Sequence, residues 1–73
     1  MPKLYSARQV IKALQRSGFI IISQKGSHIK LRKTIDGSVF SPIIPNNKEI
    51  AMGTLQSILR QAGITKDELD ENI

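Results

Sequence analysis

The chain has 73 residues, 40% of them apolar and 23% charged, with a net charge of +5. That is the length of one small domain with a thin core, and the apolar share argues against intrinsic disorder. The absence of cysteine excludes disulfides and thiolate chemistry, and the longest apolar run, Phe19 to Ile22, is far too short to span a bilayer.

In chain order, Ser6 opens a predicted helix over about residues 6–17. Ser6 and Gln9 have capping-box spacing, Tyr5 and Val10 have hydrophobic-staple spacing, and Ala7, Val10, Ile11 and Leu14 make one apolar stripe. Gly18 is placed to close the helix in a left-handed cap, with Phe19 folding back. Arg8, Lys12 and Arg16, four apart, form a separate basic stripe that a solvated helix face or an RNA track explains equally. FIIISQ, HIKLRKT and SVFSPII then read as three antiparallel strands, joined by turns at Lys25–Ser27 and at Asp36-Gly37. Pro42 places the third strand at a sheet edge or at a bulge. The first strand is apolar on both faces, which a single helix layer explains only in half.

Asn46 and Asn47 are plausible caps for a second helix, Asn46 having capping-box spacing to Glu49, although Gly53 favours a start nearer Thr54 or a close contact with the sheet. Leu55, Ile58, Leu59 and Ala62 form that helix's stripe, and Gly63-Ile64 ends it. Thr65 and Glu68 form another capping box for a short, acidic final helix. Met52 and Leu69 read as packing residues. The whole, residues 1–73, is predicted to be one α+β domain of order α-β-β-β-α. It has a three-stranded antiparallel sheet with both helices on one face, the layout of double-stranded-RNA-binding domains.

Charge is distributed unevenly. Residues 1–48 hold nine bases against the single acid Asp36, whereas residues 49–73 hold two bases and five acids. A basic front points to a polyanion, nucleic acid before membrane. The residues 1–9, MPKLYSARQ, contain no apolar signal-like stretch, so a soluble, cytoplasmic protein is expected.

The inventory for chemistry is short. One histidine, no cysteine and carboxylates gathered mostly in a terminal helix do not make a metal site, and no cofactor loop occurs. A Ser-His-Asp triad fails because Ser27, directly before His28, would point to the other side of the strand. His28 remains. A lone histidine is more often inert than catalytic, but the two-residue period of the second strand sets Ile29 and Leu31 on one face and His28, Lys30 and Arg32 on the other. Lys25 lies in the preceding turn. RNA supplies its own nucleophile, the 2′-hydroxyl; a histidine base removing that proton and cations facing the phosphorane would cleave it by transesterification without metal. Lys25, Lys30, Tyr5 and water are all open as the general acid. Tyr5, Phe19 and Phe40 are the only rings, and with both phenylalanines in the core no base-stacking platform is available.

The run QKGSHIKLRK, with Gly26, Ser27 and His28 heading the second strand, and PNNKEIAMGTLQSILRQAGI from Pro45 to Ile64 resemble the HicA (YcfA-like) mRNA interferase toxins of toxin–antitoxin systems. The resemblance covers nearly the whole chain, from the MPKL start. It implies a fold like that of double-stranded-RNA-binding domains, cleavage of mRNA without the ribosome, a catalytic His28 and neutralisation by a HicB-type antitoxin covering the active face. Lys25, Gly26, Ser27, Lys30 and Arg32 are the expected RNA-binding residues. Many relatives carry histidine where this chain has Asn47; the expectation here is that Asn47 serves as a helix cap. The competing expectations are a non-catalytic RNA-binding module and a partner-binding adaptor of the same fold.

Overall fold

In the computed structural model residues 4–73 are described; Met1–Lys3, and with them the Lys3 charge and most of the MPKL start, lie outside the described residues. Helix α1 (Ala7–Arg16) begins as its capping box predicts. The Ser6 hydroxyl accepts the Gln9 N–H at 3.1 Å, and the Gln9 side chain accepts the Ser6 N–H at 3.0 Å. It ends in a Schellman motif: Phe19 N–H bonds to Leu14 C=O at 2.9 Å, and Gly18 N–H to Gln15 C=O at 3.0 Å. That turn requires the left-handed backbone of Gly18, φ 102°, and it drops Phe19 into the core.

Strands β1 (Ile20–Lys25) and β2 (His28–Ile35) form a hairpin through Gly26-Ser27, pairing Lys25 with His28. A second two-residue turn, Asp36-Gly37, has positive φ at both positions, 49° and 82°, the requirement of a type I′ turn. The predicted third strand is two strands, β3 (Ser38–Phe40) and β4 (Ile43–Pro45). Both pair antiparallel with β2, β3 against Lys33–Ile35 and β4 against His28–Lys30. The ladder breaks at Pro42, which has no N–H to donate; its carbonyl still accepts the Leu31 N–H at 3.0 Å. The sheet is thus three lanes wide with β2 in the middle, and the third lane is an interrupted edge.

Helices α2 (Met52–Ala62) and α3 (Lys66–Glu71) complete the chain. α1, α2 and α3 pack on the face to which Ile29, Leu31 and Ile44 point, so the core is a single layer between sheet and helices. Leu55, Ile58, Leu59 and Ala62 are buried as predicted, Leu69 is fully buried and Met52 half-buried. The start of α2 corrects the expectation. Its N-cap is Ala51 with no side-chain cap, and neither Asn46 nor Asn47 caps it. The reason is that their backbone is engaged elsewhere: Asn46 N–H extends the β2–β4 ladder to Ser27 C=O at 2.6 Å, and Asn47 C=O takes the Ala7 N–H at 3.0 Å. Gly53 lies in the first turn of α2 with open space around it, so it makes no close contact with the sheet.

α3 is clasped to α1. The Tyr5 hydroxyl donates to Asp70, Lys66 pairs with Asp70 at 3.1 Å, and Arg16 donates to Asn72 C=O at 2.7 Å. The bond from Tyr5, then that from Lys66, holds the Asp70 carboxyl below its usual 3.8. A depressed folded value stabilises above the unfolded value and loses that contribution as pH falls through the folded one. Asp70→Asn should therefore flatten the dependence of Tm on pH below about 4 while leaving the neutral-pH fold intact; because the group is exposed, the difference should shrink in high salt.

The glycines differ in sign. At Gly63, φ 69°, an added Cβ would sit 2.7 Å from the Phe40 ring, whereas at Gly53 it would meet nothing. Urea unfolding should show Gly63→Ala losing about 1–3 kcal/mol and Gly53→Ala gaining up to about 1 kcal/mol.

Candidate active site

The tip of the β1–β2 hairpin positions the histidine. Gly26 has φ 56° and Ser27 does not share a positive φ, the pattern of a type II′ turn with glycine first. An added Cβ at Gly26 would meet no atom, so backbone conformation alone calls for glycine there. The turn makes Lys25 and His28 direct cross-strand neighbours, and Pro45 flanks His28 from β4. Residues so paired share one face of the sheet.

The alternation along β2 is as expected. Ile29 and Leu31 are buried, His28 and Arg32 are exposed and Lys30 is half-buried on the opposite, open face. Ser23 and Ile43 stand on either side of Lys30, and Ile20 stands beside Arg32. Two residues of strand advance about 6.8 Å, so Lys30 is the nearer cation along the strand and Arg32 lies about twice as far from the imidazole. Lys25, Lys30 and Arg32 thus put three cations on the face that carries His28. Among the described residues no side chain hydrogen-bonds His28, and no cluster of His, Cys, Asp and Glu is arranged to hold a metal ion. Ser27 joins the site through its backbone, its carbonyl accepting from Asn46.

Tyr5, one of the candidates for general acid, is committed elsewhere. Its hydroxyl donates to Asp70, and that bond, followed by desolvation, raises its pKa above the usual 10. Lys33 is also withdrawn from the open face: its ammonium donates to Ser17 C=O at the end of α1, lies 5.7 Å from the Phe19 ring centre, and its stem packs against Gly18.

Two features were missed in the sequence reading. A bulge at Ile22 shifts the register between Ile21 and Ser23, so that Ile20 and Ser23 both reach the open face. This places the second apolar face of β1: Ile20 joins Ile43 and Val39 around the basic residues, at 63%, 43% and 58% exposure. Finally, an open cleft of about 420 Å³ lies between the start of α1 and the loop after β4, lined by Ser6, Arg8, Asn46, Asn47 and Lys48. Only folding brings residues 6–8 against 46–48, so local sequence carried no sign of it.

Fold and site together define a small α+β domain built like a double-stranded-RNA-binding domain, with a histidine among cations on its uncovered sheet face. The profile of a protein family described as the HicA toxin of bacterial toxin–antitoxin systems matches residues 7–64, and the chain belongs to that family. A comparison with curated proteins finds none that matches. No helix among the described residues is long and apolar enough to cross a membrane.

Lys33 and Arg32 are adjacent cations with opposite roles. Lys33→Ala should cost about 1 kcal/mol, lowering Tm by roughly 4–8 °C, through the lost helix-end and ring contacts. Arg32→Ala should stay within about 0.5 kcal/mol of wild type in the same melting experiment.

Proposed function

We propose that this toxin is a metal-independent endoribonuclease of the cytoplasm that cleaves mRNA at the β1–β2 hairpin tip and is silenced by a HicB-type antitoxin. The observation that carries the reading is the shared open face of His28, its cross-strand neighbour Lys25, and Lys30. In the proposed step the imidazole takes the proton of a 2′-hydroxyl. The 2′-oxygen bonds to the adjacent phosphorus, the bond from phosphorus to the 5′-oxygen breaks, and the leaving oxygen receives a proton from Lys25, Lys30 or water. Lys25 and Lys30 face the charge that develops on the phosphorane oxygens. Gly26 and Ser27 hold the turn against the RNA backbone, and Arg32 takes a neighbouring phosphate. The products are a 2′,3′-cyclic phosphate and a free 5′-hydroxyl.

The second reading, a binding module without catalysis, is favoured by one observation: no side chain among the described residues fixes the tautomer of His28. Purified wild type and His28→Ala, compared on labelled RNA in EDTA for cleavage and for binding, separate the two. Cleavage by wild type is expected to fall by about 10²-fold or more in His28→Ala with binding retained, and a 2′-deoxy nucleotide at the cut position should block it. Equal cleavage by both proteins removes His28 from the chemistry, and binding without cleavage by wild type establishes the binding-only module.

A further inference from the structure

The cations of the described chain divide into two sets. Arg16 bonds Asn72 C=O, Lys33 bonds Ser17 C=O, Arg60 bonds the Ser57 hydroxyl at 3.3 Å and Lys66 pairs with Asp70. Arg8, Lys12, Lys25, Lys30, Arg32 and Lys48 make no such contact among the described residues. Of these, Lys25, Lys30 and Arg32 share the His28 face. Arg8 and Lys48 line the cleft with Asn46 and Asn47, and no carboxylate lines it.

Resting on the ribonuclease reading, we propose that this cleft is a second anion subsite, which holds another backbone phosphate of the RNA strand that is cut at His28. A single RNA strand is then gripped at two points. Arg8 presents a guanidinium fork and Lys48 an ammonium to one phosphodiester, while the side-chain amides of Asn46 and Asn47 donate to phosphate or sugar oxygens. The helix end is not what makes the site: Ala7 N–H is already bonded to Asn47 C=O and Gln9 N–H to the Ser6 hydroxyl. The two cations and the concave shape do.

The cleft is held in fixed relation to the histidine. Asn46 N–H bonds to the carbonyl of Ser27, the residue before His28, and the loop is fastened to α1 on both sides of Lys48 through Asn47 C=O with Ala7 N–H and Ile50 N–H with Tyr5 C=O at 2.7 Å. These bonds tie the loop that carries the cleft to the residue before His28 and to the start of α1, so that a strand bound in the cleft would be directed toward the imidazole. Such placement at a distance converts binding energy into orientation of the reacting atoms.

The test uses a single-stranded RNA that carries a 2′-deoxy nucleotide at the cut position, so that binding is measured without cleavage. Affinity is followed against salt for wild type, for Arg8→Gln with Lys48→Gln, and for Arg60→Gln as a cation removed elsewhere, each with a melting curve matching wild type. Loss of the one phosphate that both cations hold should make the slope of log affinity against log salt shallower by about 0.7 in the double variant and leave it unchanged in Arg60→Gln. A double variant with the wild-type slope overturns the subsite while leaving the His28 reading in place. An equal change in Arg60→Gln assigns the effect to net charge and also overturns it. Wild type that binds no RNA overturns the subsite and the ribonuclease reading together.

Discussion

Hydrogen bonding of β2 on both of its edges is the constraint on which the remaining structure depends. It is the one strand paired on each side, to β1 along one edge and to β3 and β4 along the other. Because side chains alternate along a strand, this pairing decides at once that Ile29 and Leu31 go to the core and that His28, Lys30 and Arg32 go to the open face. A slip of one residue would exchange the two sets, burying three polar or charged side chains and exposing the apolar pair. The two tight turns, each built on a glycine at positive φ, hold that register from both ends of β2.

The helix layer contributes to the site by what it leaves uncovered and by where its own charges are engaged. Lys33 and Arg16 satisfy carbonyls near helix ends, and Lys66 and Tyr5 share the Asp70 carboxylate. These contacts draw cations toward the helical side and the acidic tail. Among the described residues the basic groups with no internal partner lie along α1, the hairpin, the open sheet face and the loop after β4. A net charge of +5 thus understates the field at the site, because four of the six acids, Asp67, Glu68, Asp70 and Glu71, lie in α3.

Much of this arrangement was legible in local sequence. Ser6 and Gln9, Thr65 and Glu68, and the Gly18 and Gly63 stops are short-range signals whose chemistry completes within one helical turn, and each forms as read. The parity of β2 was equally plain, and with it the face that carries His28. What escaped was decided by distant partners. Asn46 and Asn47 have good capping chemistry, yet Ser27 and Ala7 compete for their backbone and prevail. The Ile22 bulge is an extra residue whose effect exists only against β2; at Pro42 the edge position was read correctly, and only the full division of the strand into β3 and β4 was not. The cleft of Arg8 and Lys48 depends on loop and helix meeting, and belongs to the same class.

The α1–α3 clasp differs from the sheet in how far apart along the chain its members lie. Each sheet pairing joins segments separated by one short turn or by little more than a dozen residues, so the sheet requires only small loops to close and can form early and fast. The bond from Tyr5 to Asp70 spans 65 positions, a far longer loop for the chain to close. The hairpin that carries His28 can therefore assemble before that clasp does, while the fully buried Leu69 still waits to cover the end of the core. The interval between those events is when the chain most exposes its apolar interior, and its length depends on closing that long loop as much as on the strength of any contact.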